Sequence, residues 1–221
     1  MLRRLTPRQP IPSRPILRRP LLTRRAPNDL GRRFCSEQAS GAALAVADLK
    51  ARLRVDHADE DLEIEGFLRA AVAMIDGPEG IGVAILRQTW RLTLDILPAQ
   101  VILPGAPIAG LVALRVLGAG GTWQEVPPED CRLVAGIDPV RLVPAPGVSW
   151  PRPAAQPGAV QIDYTLGAAT PAEADPALVT AVALIAGQYY NHRAAIMEGQ
   201  AVELPLGARH IMEGRRRGLV G

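Results

Sequence analysis

The chain has 221 residues and a formal charge of +3, from 25 basic and 22 acidic side chains. Two cysteines, Cys35 and Cys131, are too few for a disulfide framework, and their spacing to the histidines matches no zinc site. No apolar run reaches the ~18 residues that span a bilayer, whereas a hydrophobic content of 48% is ample for a globular core.

The charge is unevenly placed. Residues 1–35 hold ten arginines and one acid, Asp29, a net of +9, which leaves 15 basic and 21 acidic groups, or −6, on residues 36–221. Prolines at positions 7, 10, 12, 15, 20 and 27 interrupt this first stretch. Each removes a backbone donor and disfavours helix at the residue before it. The composition predicts a disordered basic arm over residues 1–40. Three readings of the arm stay open. Its paired arginines (Arg3/Arg4, Arg18/Arg19, Arg24/Arg25, Arg32/Arg33) suit phosphate neutralisation without sequence preference. It is also Arg-rich and acid-poor like a transit peptide, although its prolines oppose the amphipathic helix such peptides form. The third is that translation starts further on, near Ala43–Val46.

After the arm, Val46, Leu49 and Leu53 alternate with Lys50, Arg52 and Arg54, which predicts a short amphipathic helix over Val46–Val55. Asp56-His57-Ala58-Asp59 resembles a capping box. The following helix, about Ala58 to Asp76, carries Ile64, Phe67, Leu68, Ala71, Val72 and Ile75 in one stripe. Gly77-Pro78 stops it. The period then changes from helix to strand. Gln88–Ile96 alternates Trp90, Leu92, Leu94 and Ile96 with polar residues. Further strands are expected at Val101–Leu103, Leu111–Leu117, Thr122–Val126, Cys131–Val134, Val140–Val143 and Ala159–Leu166, with Gly118–Gly121 as a hairpin turn. Asp175-Pro176 marks a new helix start. That helix runs to about His192, with no charge between Asp175 and Arg193. A short helix near Ala208–Glu213 and the tail Arg215-Arg216-Arg217-Gly218-Leu219 complete the chain.

The order is helix–helix, β-rich stretch, helix–helix. A flanking pair of ~40–50 residues is too small to fold alone. The expected fold is therefore α+β, mainly a helical bundle of residues 41–82 and 168–221, with a small antiparallel β-rich insertion at residues 83–167.

Catalytic and metal chemistry find little support. Asp56, Asp59, Glu60, Asp61, Glu63 and Glu65 lack the glycine that a calcium loop needs at its sixth position, where Asp61 stands. Acids there favour the helix dipole instead. His57, His192 and His210 accompany no recognisable nucleophile motif. Gly77–Gly82 and Gly118–Gly121 lack the lysine and strand–loop–helix context of a phosphate loop. No catalytic, cofactor or metal residue is assigned. Trp150, in Val148-Ser149-Trp150-Pro151-Arg152-Pro153, is either a loop anchor or an interface residue.

Five segments carry a resemblance: Val46–Asp61 (VADLKARLRVDHADED), Gln88–Leu94 (QTWRLTL), Arg141–Trp150 ending in GVSW, Gly158–Tyr164 (GAVQIDY), and Gln188–Arg193 with Glu203–Gly207 (QYYNHR…ELPLG). In this order and spacing the sequence resembles the head–tail connector, or adaptor, proteins of tailed phages and prophages, and especially the adaptor of alphaproteobacterial gene transfer agents. The resemblance covers about Val46 to Gly214 and omits the arm. It implies a non-enzymatic structural role in a dodecameric ring beneath the portal, with a stopper or tail-completion protein below. DNA would pass through without sequence-specific binding. No cofactor and no membrane are implied. The protein would assemble in the bacterial cytoplasm and end in the particle neck. In relatives the C-terminal segment reaches the portal. Carried over to Gly207–Gly221, this gives His210, Ile211, Met212, Arg215, Arg216, Arg217 and Leu219 as expected portal contacts. A ring subunit also needs side-to-side interfaces. Trp150, Tyr189, Tyr190, His192 and Arg193 are the expected members. Asp59, Glu60 and Asp61 are expected to face the channel or a basic neighbour. The alternative is a basic-arm nucleic-acid-binding protein without catalytic activity.

Overall fold

A computed structural model describes residues 32–37, 42–134, 136–193 and 203–217, the first of these segments as backbone alone. Among the described residues, four helices form one layer. Helix α1 (Val46–Leu53) buries Leu49, and α2 (Asp61–Ile75) buries Ile64, Leu68, Ala71 and Ile75, the centre of the stripe seen in the sequence. Helix α3 (Pro176–Asn191) starts where Asp175 accepts a hydrogen bond from the Ala177 N–H at 2.9 Å, which satisfies one of the free donors of the first turn. Helix α4 (Leu206–Arg215) buries Ala208 and Met212. The central element is α3, which packs against α1, α2 and α4. It buries Leu178, Ala181, Val182, Ala183, Ile185, Ala186 and Gly187. That coverage explains why the sequence leaves this helix without charge.

The strands form two antiparallel sheets. They are β1 (Arg32–Glu37), β2 (Gln88–Leu94), β3 (Val101–Ile102), β4 (Ile108–Leu117), β5 (Trp123–Val126), β6 (Cys131–Val134), β7 (Arg141–Pro144) and β8 (Val160–Leu166). The larger sheet is five-stranded in the order β1-β2-β8-β4-β5, and the smaller is three-stranded in the order β3-β7-β6. Their inner faces meet in one core. Trp90, Leu92 and Leu94 of β2, Leu114 and Val116 of β4, and Val160, Ile162, Tyr164 and Leu166 of β8 pack with Val101 and Leu142 of the smaller sheet. The register Trp90↔Tyr164 and Leu92↔Ile162 puts the apolar sets of β2 and β8 on one face, as a period of two requires.

The expectation of a mainly helical bundle with a small insertion is therefore corrected. The β-rich part has two sheets and a hydrophobic core of its own, so it stands beside the helical layer as an equal. Its short, proline-split strands do not reveal from sequence how much inner face they share. The strand β1 also lies within the stretch read as a disordered arm. It pairs with β2 from Arg32↔Thr93 to Glu37↔Thr89. Residues 1–31, with their arginine pairs, lie outside the described residues.

The two parts are joined by the segment 81–86. Ile81, Val83, Ile85 and Leu86 pack into the helical core while Ala84 packs into the sheet core. Asp76, just past α2, anchors this crossing. Its carboxylate accepts hydrogen bonds from Ile85 N–H at 2.8 Å and from Gln88 Nε2 at 2.5 Å, and the Trp90 Nε1–H donates to Gln88 Oε1 at 2.8 Å. Burial pushes the Asp76 carboxyl above its ordinary pKa, and the bonds from Ile85, Gln88 and Gly77 only partly offset this.

Candidate functional site

The acidic start of α2 and the aromatic end of α3, expected to serve different surfaces, meet within one chain. The Tyr190 hydroxyl donates to Glu60 Oε2 at 2.5 Å, and Arg193 Nη2 lies 3.2 Å from Glu60 Oε1. The Arg193 guanidinium also sits over the Tyr190 ring, 4.8 Å from its centroid. The Tyr190 hydrogen bond, aided by Arg193, holds the Glu60 carboxyl below its ordinary value despite partial desolvation. The same bond raises the Tyr190 phenol. Asp61 is engaged as well, 2.5 Å from Nζ of Lys50 on α1, the one lysine in the chain. Asp59 alone of the three acids stays open, its side chain 93% exposed and 3.9 Å from His57. Tyr189 turns inward, its ring 6.3 Å from that of Phe67, and His192 is exposed at the end of α3. Trp150 is half-buried against the sheet core, and its Nε1–H donates to the Asp130 carbonyl at 3.4 Å, an intrachain loop anchor.

The C-terminal segment folds back on the body. Arg215 pairs with Asp175, the residue that caps α3. The Arg215 hydrogen bond is the largest influence on the Asp175 carboxyl and holds it below its usual range. Arg217 pairs with Asp138, and its N–H donates to the Ile81 carbonyl at 2.9 Å. The chain passes so close to Gly82 that a Cβ there would lie 3.0 Å from the Arg217 carbonyl oxygen, and Gly82 has φ +77°. Close approach and a left-handed backbone together require glycine at that position. Of the other expected portal contacts, Met212 is buried, Ile211 is half-buried, and His210 and Arg216 are exposed. Leu219 lies outside the described residues.

The outer face of the larger sheet carries a charged row that the sequence reading missed. Asp163 on β8 accepts from Arg91 Nε at 2.5 Å and Nη2 at 2.7 Å on β2, and from Arg115 Nη1 at 2.8 Å on β4. Arg115 Nε continues to Glu125 on β5 at 3.1 Å. Burial works against the Asp163 charge, but the two guanidiniums outweigh it and hold the carboxyl below its ordinary value. The signal was present as alternate positions on strands that prove to be neighbours. Its partners are 72 and 48 residues apart, so only the strand order reveals them.

Among the described residues, no group of three His, Cys, Asp or Glu side chains is placed to hold a metal ion, and no helix is long and apolar enough to cross a membrane. The arrangement offers packed helices, capped ends and paired surface charges.

No protein-family profile matches the chain, and no curated protein matches it. Solved structures do. A chain from the virion of a native gene transfer agent particle is 31% identical, with a TM-score of 0.68, over 86% of this chain and 98% of that one. A chain from the neck of an empty gene transfer agent particle, computed with C6 symmetry, is 30% identical with a TM-score of 0.66, over 85% and 98%. A chain from the neck of a native particle, computed with C12 symmetry, is 29% identical with a TM-score of 0.65, over the same shares.

Proposed function

Because the chain belongs to the head–tail connector (adaptor) family of gene transfer agent particles, we propose that it is the structural neck subunit that joins head to tail in a phage-like particle. The likeness to neck chains over 98% of their length carries this reading. In it, copies of the chain form a closed ring, twelve-membered like the symmetry of the native neck. The portal lies above, a stopper or tail-completion protein lies below, and DNA passes through the centre.

The charge distribution suits a conduit. The net of −6 on residues 36–221 repels phosphates, so DNA slides without lodging. The C-terminal segment is the proposed portal contact, with His210, Arg216 and Arg217 among its exposed members. Arg215 and Arg217 set its course across the body through Asp175 and Asp138. The α3 end and the Trp150 loop remain proposed contributors to the ring, acting in part by fixing the surfaces around them.

Deleting the gene in a producing strain tests the reading. Electron microscopy is expected to show filled heads without tails, and complementation to restore tailed particles. Normal tailed particles in the deletion strain, with the chain missing from purified necks of the parent, would refute it.

A further inference from the structure

Among the described residues, two flanks of the helical layer expose leucine side chains, and their net charges are opposite. On α2, Leu62 is 83% exposed. Glu63, Glu65, Arg69, Ala70 and Ala73 are exposed beside it, with Asp59 just before the helix. Leu62, Gly66, Ala70 and Ala73 recur at helical spacing and share one face. Gly66 is the telling residue. It sits inside a helix, where glycine is costly relative to alanine, and a Cβ placed on it would meet nothing within 4 Å. Nothing within the described residues requires glycine there, and its missing side chain leaves room for a helix of another chain to approach closely.

Across α3 lies the second flank. Leu206 at the start of α4 is 78% exposed and Leu184 of α3 is 40% exposed. They border one another at Gly207, whose Cβ would come 3.4 Å from Leu184 Cδ1. Arg209 and Arg216 are exposed on the same helix and its end. One flank therefore carries leucine with an excess of carboxylates (Asp59, Glu63 and Glu65 against Arg69), and the other leucine with an excess of guanidiniums (Arg209 and Arg216 against Glu213). A second copy of this chain has the matching surface for each, and α3 separates the two within one copy. Different faces that match are what a head-to-tail contact needs, and such a contact closes into a ring when the rotation permits.

We propose that the Leu62 flank of α2 in one subunit packs against Leu184, Leu206 and Arg209 on α3 and α4 of the next, with Gly66 admitting the neighbouring helix. This inference rests on the neck-ring reading and specifies its interface. Asp59 and Glu63 meet Arg209 at the polar margin, and the three leucines form the dry centre.

The test uses particles in which the chain carries both Leu62→Cys and Leu206→Cys, treated with a short bis-maleimide cross-linker. A ladder of chain multimers on a denaturing gel is expected, absent from wild type and from either single variant. In parallel, Glu63→Arg and Arg209→Glu are each expected to weaken incorporation into necks by about tenfold or more, since like charges meet. The combined variant should recover most of it. Gly66→Gln should raise the unfolding midpoint of the isolated chain yet reduce incorporation, opposite signs that a purely structural role does not produce. If the chain is present in necks but the double-cysteine ladder fails to form, or the combined reversal is no better than the singles, the interface is wrong while the neck reading stands. If the wild-type chain is absent from necks, both fall.

Discussion

Asp163 shows how one side chain ties three strands together. It is 5% exposed, yet it lies on the outer face of its sheet, shielded by the Arg91 and Arg115 side chains that pair with it. Removing one partner of such a shielded group leaves the others uncompensated. Asp163→Asn is expected to cost about 2–4 kcal/mol of stability near neutral pH, read as a lower urea midpoint. The sign with pH follows from its lowered pKa. The stabilisation is present above the ordinary carboxylate pKa and is lost as pH falls through the lowered value. The difference between wild type and Asp163→Asn should therefore shrink towards acid pH. A constant gap from neutral to strongly acidic pH would show that the ion pairs are not its source. Glu60 follows the same sign, but its exposure to water screens the effect.

Among the elements, β1 is the one whose role departs most from its composition. Arg32–Glu37 pairs along β2 and so caps the edge of the five-stranded sheet. An unpaired edge is a template for association with other chains. Removing residues 1–31 is expected to leave the thermal midpoint of the isolated protein within a degree or two, because the edge stays covered. Removing residues 1–37 strips β2 of its partner on the outer side, leaving only β8, and should lower the midpoint by several degrees and promote aggregation, read by light scattering. Equal behaviour of the two truncations would mean that β1 adds nothing to the sheet. By contrast, α2 and α3 follow their sequence signals closely. Asp61–Ile75 keeps its stripe and Pro176–Asn191 begins at its Asp-Pro start, because caps and periodicity are local and survive any tertiary context.

At the scale of the whole molecule, two hydrophobic cores share one crossing segment. Residues 81–86 contribute side chains to both, and Asp76 binds Ile85 and Gln88 across the junction. The two parts are therefore expected to unfold together. Trp90, Trp123 and Trp150 all lie in the β part, so tryptophan fluorescence reports that part while far-ultraviolet circular dichroism is dominated by the helices. Coincident denaturant transitions by the two probes are expected. A helical signal that survives loss of the fluorescence transition would separate the cores. The division at residues 82 and 83 read from the period change cuts through this shared segment, because a change of period marks where the backbone changes and not where the cores part.

What the sequence determined by itself was local. The helix starts and stops, the strand alternation and the glycine turns came out within a few residues of their observed places, since each depends on neighbours along the chain. The ordered set of motifs also carried the family. Tertiary structure alone decided the relations between distant residues. It placed Glu60 against Tyr190 and Arg193, Asp163 against two arginines, Arg215 on the cap of α3, and a strand of the basic stretch at the edge of a sheet. Those contacts join residues that no periodicity relates, and they determine which charges are left for a neighbour. Of the acids expected to face outward, Glu60 and Asp61 are already paired within the chain, while Asp59, together with Leu62 and Gly66, is left open to what lies beyond it.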